Sequence, residues 1–283
     1  MKVLVVGLGL IGGSICKSLK KNSTYTVVGL DNNKTVEQKA IADSSIDEAF
    51  SGSFEACDII VICLYPDTAE NFLEENAELI PKNCLITDVC GVKGTFSKNM
   101  KKISSEKGLE YIGVHPMAGR EVGGYINSTS ELFVNANFII VPFEDSSAEK
   151  IDVLKTFAKQ LKVGKIIVTS PDSHDKMIAY TSQLAHIVSS AYVKSPELEL
   201  ECGFSGGSFQ DMTRIATMNE SMWTDLFMKN RDNLKFELET LISNLKKYSE
   251  ALEDNDSEKM KELIKDGRIL KEENLKKRLG QPN

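Results

Sequence analysis

The sequence predicts a doubly wound, mostly parallel α/β sheet followed by an all-helical C-terminal domain. Three observations carry this expectation. Short apolar strands alternate with helical stretches as far as residue 170, the repeating pattern of βαβ units. The first strand runs directly into a glycine-rich turn that opens a helix. Beyond Pro171 the strand patterns stop and only helical periodicity remains. The expected domains are therefore 1–170 and 171–283.

Lys2 to Val6 (KVLVV) is a β-branched run of the kind buried on both faces of a parallel sheet. It meets Gly7-Leu8-Gly9-Leu10-Ile11-Gly12, and Ile15, Cys16 and Leu19 follow at helical spacing. That is G-x-G-x-x-G between a strand and a helix, the Rossmann-type dinucleotide fingerprint. Gly7 permits the tight turn, Gly9 lets backbone approach a pyrophosphate, and Gly12 lets helix and strand pack closely. The helix start at Leu10 and Ile11 presents N–H groups to phosphate. Thr26 to Leu30 is the second strand and ends at Asp31, where a ribose-binding carboxylate belongs. Asp58 to Leu64 is the third, closed by Tyr65-Pro66, and a helix from Thr68 to Leu79 stops at Pro81.

Cys84 to Asp88 and Leu109 to Val114 read as the fourth and fifth strands, with a basic helix from Lys98 to Lys107 between them. Phe138 to Val141 and Lys165 to Thr169 complete the sheet, flanking a helix opened by the capping box Ser146-x-x-Glu149. Ser173 to Lys194 then reads as one long helix, capped by Asp172 or Ser173, with a polar stripe of Ser182, Gln183 and His186. Cys202 to Gln210 is a glycine-containing loop, and helix resumes at about Asp211. Positions 234, 238, 241, 245, 248 and 252 repeat as the seam of a helix packed on another helix. The tail after Asp254 is a charged, solvated helix.

Composition narrows the class. With 41% hydrophobic and 27% charged residues, a chain of 283 residues is an ordinary globular protein able to bury a sizeable core. No apolar run approaches the roughly 20 residues of a membrane span. The chain enters a strand within two residues, which leaves no room for a leader segment. The six cysteines lie singly with no C-x-x-C pair, so reduced thiols and a cytoplasmic location are expected, with no metal. A net charge of −7 argues against a nucleic-acid surface, so individual cations matter for any anionic ligand.

Polar clusters recur just past strand carboxyl ends, where open α/β sheets bind ligands: Gly7, Asp31, Tyr65-Pro66-Asp67, Asp88 to Lys93, and His115. The candidate cofactor set is Gly7, Gly9, Leu10, Ile11, Gly12 and Asp31, with Leu64 and Pro66 at the third strand's end. Asp31 suits a free ribose 2′-hydroxyl and repels a 2′-phosphate, which favours NAD over NADP. His115 is the candidate acid–base group, since imidazole moves protons near neutral pH, and Glu121 is placed to orient it. His174, beside Asp175 at a helix start, reads as a structural partner. Arg214 falls in a first helical turn, where a cation opposes the dipole. Either a carboxylate ligand or a salt bridge to Asp211 accounts for it. Lys93 is a second candidate cation, with a solvated lysine as the plain alternative.

Five segments in order make the reading more specific: G-L-G-L-I-G-G-S, Asp88-x-x-x-x-Lys93, H-P-M-A-G-x-E, S-H-D-x-x-x-A-x-x-S-Q-L-x-H and G-G-S-F-x-D-x-T-R-I-A. Together they resemble the prephenate/arogenate dehydrogenase family of tyrosine biosynthesis. The resemblance implies oxidative decarboxylation of prephenate to 4-hydroxyphenylpyruvate, with arogenate as the alternative substrate. It implies that His115 draws a proton from the ring hydroxyl, that Arg214 holds a carboxylate, and that His186 lies near the substrate side chain. Gln183 stands where the family often has histidine. A homodimer through the helical domain is also implied. One departure is Gly91, where the family usually has serine, so a hydroxyl is missing and water or Thr87 is left to replace it. A non-catalytic NAD(H) sensor is the alternative from a different class; it needs neither His115 nor Arg214.

Overall fold

The computed structural model describes residues 1–120 and 122–278. Its first layer is built by β1 (Lys2–Val6), α1 (Leu10–Asn22), β2 (Thr26–Leu30), α2 (Lys34–Ala42), β3 (Glu48–Ala49), β4 (Ile59–Ile62), α3 (Pro66–Asn76), β5 (Leu85–Asp88), α4 (Gly94–Glu106) and β6 (Glu110–Tyr111). The six strands pair in parallel in the order β3-β2-β1-β4-β5-β6. The strand order reverses between β1 and β4, which opens a crevice at their carboxyl ends.

The two-residue period of the strands explains the core. Val3, Val5, Ile59, Val61 and Leu85 face one side, with Ile15 and Leu19 of α1. Leu4, Val6, Ile60, Ile62 and Ile86 face the other, with Ala69 and Leu73 of α3 and Phe96 and Met100 of α4. Both faces are covered, as a parallel sheet requires.

The expected fifth strand divides. Ile112 N–H still donates to the Ile86 carbonyl at 3.1 Å, but the chain then leaves the sheet. β7 (Gly113–Pro116) joins β8 (Asn137–Val141) antiparallel, and β8 pairs in parallel with β9 (Lys165–Val168), forming a separate three-stranded sheet. The expectation that residues 138–141 and 165–169 complete the main sheet is therefore corrected. An apolar run reports that a strand exists, but the partner is chosen by long-range packing that the run does not encode. His115 consequently lies within β7, paired with Ile139, rather than in a loop beyond a strand.

Between β8 and β9 lies α5 (Ala148–Gln160), whose N-cap is Ser147; its side chain accepts from Lys150 N–H. Ser146 instead accepts from Phe143 N–H, so the cap sits one residue later than the capping box implied. The long helix also differs in detail. It comprises α6 (Pro171–Ile178), capped by Ser170, a π-helical turn at Ala179–Gln183, and α7 (Leu184–Tyr192). α8 (Gly207–Thr213) starts inside the expected glycine loop, so Arg214 stands at its C-cap, not in its first turn. There the helix dipole favours a cation, which reverses the expected electrostatics. α9 (Glu220–Lys229) follows, capped by Asn219.

Residues 1–231 form one compact unit. The second unit begins at Asp232 and consists of α10 (Arg231–Glu253) and α11 (Ser257–Arg278). The Tyr248 hydroxyl donates to the Leu263 carbonyl at 3.3 Å across this pair. Along the expected seam Leu234 is buried, Leu238, Leu241 and Tyr248 are half-buried, and Leu245 and Leu252 are exposed. Among the described residues no helix is long and apolar enough to cross a membrane. All six cysteines are free thiols.

Candidate active site

The crevice between β1 and β4 begins with the glycine turn. Gly7 has φ +90°, and a side chain there would meet the Cys63 carbonyl oxygen at 2.6 Å. A Cβ on Gly12 would lie 1.9 Å from the Gly7 carbonyl oxygen, so the turn closes only without one. Gly9 is the reverse case: nothing stands within 4 Å of the position its Cβ would take. It is also the N-cap of α1 and offers no capping side chain. Leu10, Ile11 and Gly12 thus form a helix start whose donors face an open side, the arrangement that binds phosphate.

Asp31 anchors the turn from β2. It accepts from Leu8 N–H at 2.8 Å through one carboxylate oxygen and from Asn33 N–H at 2.9 Å through the other. An ionised carboxylate has about four acceptor sites, so capacity for a ribose hydroxyl remains. The cation nearest in sequence, Lys34, is paired with Glu37 at 2.9 Å. Leu64 and Pro66 flank the end of β4, with Pro66 buried as the first residue of α3. Burial pushes the thiols of Cys63 and Cys90 well above their ordinary range, so neither offers a thiolate at this edge.

The segment after β5 holds a buried polar cluster. Lys93 is fully buried; its ammonium donates to Asp88 at 2.5 Å and to the Cys90 carbonyl at 3.0 Å. The Tyr111 hydroxyl donates to the second Asp88 oxygen at 2.6 Å. Gly113 lets β7 cross this cluster, because a Cβ there would meet the Tyr111 hydroxyl at 2.9 Å and Asp88 at 3.0 Å. The lysine expected to face solvent or ligand is committed to the interior. Thr87, considered as a replacement hydroxyl, is also buried and donates to the Ile112 carbonyl at 2.7 Å.

His115 follows Gly113 on the same face of β7 and is half-buried. Its Nδ1 lies 2.9 Å from His174 Nε2, and His174 Nδ1 lies 2.7 Å from Asp175 Oδ1. Its Nε2 would be 3.8 Å from a Cβ on Gly91. Burial lowers the His115 pKa well below the ordinary 6.5, and the charges of His174 and Lys93 act in the same direction. The group hydrogen-bonded to the ring is thus His174, a residue the sequence suggested only as a structural partner. Glu121, expected in that role, lies outside the described residues.

α9 covers this region from the helical side. Leu226 would touch a Cβ on Gly91 at 3.8 Å. One turn earlier, Trp223 stacks on His186 with ring centroids 3.7 Å apart and planes 30° apart. Residues three apart share a helix face, so α9 links the surroundings of His115 to His186. His186 Nδ1 also lies 2.9 Å from the Ser182 carbonyl oxygen. The turn beginning at Arg214 packs against α7, which carries His186, and Arg214 itself is exposed. Gln183 is buried: it donates to the Leu226 carbonyl at 3.1 Å and accepts from Asn230 at 2.7 Å. It braces α7 against α9.

Comparison with known proteins places these features in one family. A model of the nucleotide-binding domain of prephenate dehydrogenase matches residues 15–168. A model of the dimerization domain of prephenate dehydrogenase matches residues 170–266. The prephenate dehydrogenase of Bacillus subtilis (strain 168) is 29% identical over 272 residues, covering 91% of this chain and 72% of the relative. The crystal structure of the Aquifex aeolicus prephenate dehydrogenase with hydroxyphenyl propionate and NAD+ superposes with a TM-score of 0.85 at 26% identity, over 96% of this chain and 98% of that one. The Synechocystis arogenate dehydrogenase structure gives 0.83 at 25% identity, over 97% and 100%.

Proposed function

The chain belongs to the prephenate dehydrogenase family, and on that premise we propose that it converts prephenate and NAD to 4-hydroxyphenylpyruvate, carbon dioxide and NADH. The observation that carries this reading is His115: a half-buried imidazole, engaged at Nδ1, with Nε2 turned toward Gly91 beside the dinucleotide edge.

Gly7, Gly9, Leu10, Ile11 and Gly12 hold the pyrophosphate, and Asp31 takes the ribose hydroxyls, with Leu64 and Pro66 beside them. The pairing of Lys34 with Glu37 supports NAD over NADP, because it withdraws the nearby cation from a 2′-phosphate. Bound NAD supplies the hydride acceptor. His115 Nε2 accepts the proton of the ring hydroxyl, and ring aromatisation drives loss of carbon dioxide. Arg214 engages a substrate carboxylate through its guanidinium fork. His186, stacked on Trp223, lies by the substrate side chain. Lys93 and Gln183 act behind the site: the first supports the loop that carries Gly91, the second fixes α9 over it. In this reading residues 1–170 serve the dinucleotide, and 171–283 serve the substrate and a second copy of the chain.

The experiment is an assay at the NADH absorbance band with prephenate and arogenate supplied separately. A higher kcat/KM for prephenate is expected. Preference for arogenate assigns the aminated substrate instead, a reading supported by similarity to the Synechocystis enzyme. NADH formation with neither substrate overturns the proposal.

A further inference from the structure

We propose that His174 and Asp175 are positioning residues that hold His115 in the tautomer protonated at Nδ1, leaving Nε2 bare on the side facing Gly91. The inference deepens the proposed function and rests on it for what the bare nitrogen does. The tautomer itself is a property of the resting protein.

Each proton along these hydrogen bonds has one place to lie. An ionised carboxylate only accepts. Asp175 accepts from Lys93 N–H through Oδ1 at 2.7 Å and from Gly94 N–H through Oδ2 at 2.7 Å. With His174 Nδ1 at 2.7 Å from Oδ1, the proton of that contact belongs to the histidine. A neutral imidazole carries one N–H, so His174 Nε2 is then an acceptor. The 2.9 Å contact to His115 Nδ1 therefore requires His115 to donate. Its own remaining nitrogen, Nε2, is left with a lone pair. Burial lowers the His174 pKa against the opposing pull of Asp175, in keeping with the neutral ring this chain of bonds needs.

The orienting carboxylate is fixed independently of the histidines. α4 has no capping side chain of its own, since its N-cap is Lys93, and Asp175 supplies that cap from α6. Gly94 makes the approach possible, because a Cβ there would lie 2.8 Å from Asp175 Oδ2. Asn230 donates to the Asp175 backbone carbonyl at 2.9 Å. One carboxylate thus sets the imidazole and pins the end of the loop containing Gly91, so base and floor are held in one frame.

The test uses the full chain labelled with 15N-histidine. It has only three histidines, and long-range 1H–15N spectra distinguish the two neutral tautomers of each. His115 is assigned by loss of its signals in His115→Ala. The expected wild-type spectrum shows His115 protonated at Nδ1. In His174→Leu the His115 signals should move toward the Nε2-protonated form, and kcat should fall about 10²–10⁴-fold with KM for NAD unchanged, the range a misprotonated or missing base costs. In His174→Gln the amide carbonyl can accept from His115 while its NH2 donates to Asp175. That variant should keep the wild-type tautomer and recover kcat to roughly a tenth of wild type or better. A wild-type His115 protonated at Nε2 overturns the proposal, even if His174→Leu fails to fold. So does equal loss in the Leu and Gln variants. If neither prephenate nor arogenate is turned over, the spectra still decide the tautomer, and only the proposed reaction fails.

Discussion

In the proposed reaction His115 must stay unprotonated, and burial favours that state. Its lowered pKa keeps Nε2 available below the pH at which a solvated imidazole would charge. The acid limb of kcat/KM should therefore lie below the ordinary histidine value of 6.5. His115→Ala should reduce kcat by about 10²–10⁴-fold with little change in NAD affinity, measured by steady-state kinetics and titration of the cofactor. The same shift has a sign for stability. Between the lowered folded value and 6.5, the unfolded chain binds a proton that the folded chain refuses, so stability falls as pH drops through that window. Chemical denaturation across this range should show a shallower pH dependence in His115→Ala than in wild type. The sequence singles this residue out because a histidine followed by proline stands close to the cofactor edge. It does not single out the partner. His174 lies 59 positions away, and nothing local in either segment encodes a contact between them.

At the scale of elements, the glycine turn and the Asp88–Lys93 pair carry opposite lessons. The turn was readable because strand, glycines and helix are contiguous, and Gly7 and Gly12 answer local steric demands while Gly9 leaves the helix start open. Gly12→Ala should destabilise the protein by about 3 kcal/mol, the upper part of the overpacking range, because the methyl meets backbone rather than a yielding side chain. Denaturant melts and loss of NAD binding together check it. The lysine was unreadable because pattern rules assign charged residues to the surface, and only the fold places Asp88 against it. Breaking a buried pair strands a charge, so Lys93→Met should cost about 3–5 kcal/mol by urea denaturation. Adding Asp88→Asn to that variant should recover part of the loss. Division of the fifth strand at Ile112 belongs with the lysine: Leu109 to Val114 reads as a single strand, and the change of sheet arises from packing across Gly113.

For the whole molecule, most strands and helices of the first 112 residues followed from periodicity and turn chemistry, but the two-residue edge strand Glu48–Ala49 was too short to show a pattern, and the three-stranded second sheet depended on pairings between distant segments. Large apolar side chains remain exposed in the helical part of the single chain, including Phe204 at 91% and Leu200 at 69%. A segment matched by a dimerization-domain model should not leave such surface in water. Sedimentation velocity should accordingly give a species of twice the 31.3 kDa chain mass, and a monomer at micromolar concentration would count against the homodimer.

The wide turn at Ala179–Gln183 has a consequence for anyone altering this chain. A π-helical turn holds one residue more than α-helical geometry needs, so everything after it is rotated about 100° around the axis from where an unbroken helix would carry it. His174 and His186 are thus aimed by a counting irregularity, not by their separation alone. Removing one residue there, such as the exposed Thr181, would regularise the helix with its flanking turns still in phase and leave the imidazole of His186 on the Trp223 indole, whereas regularising it with every residue kept would turn that ring away. The aim of these histidines accordingly depends on the wide turn and not on the twelve-residue count, so a variant shortened within that turn keeps the pocket while an unbroken helix of full length loses it.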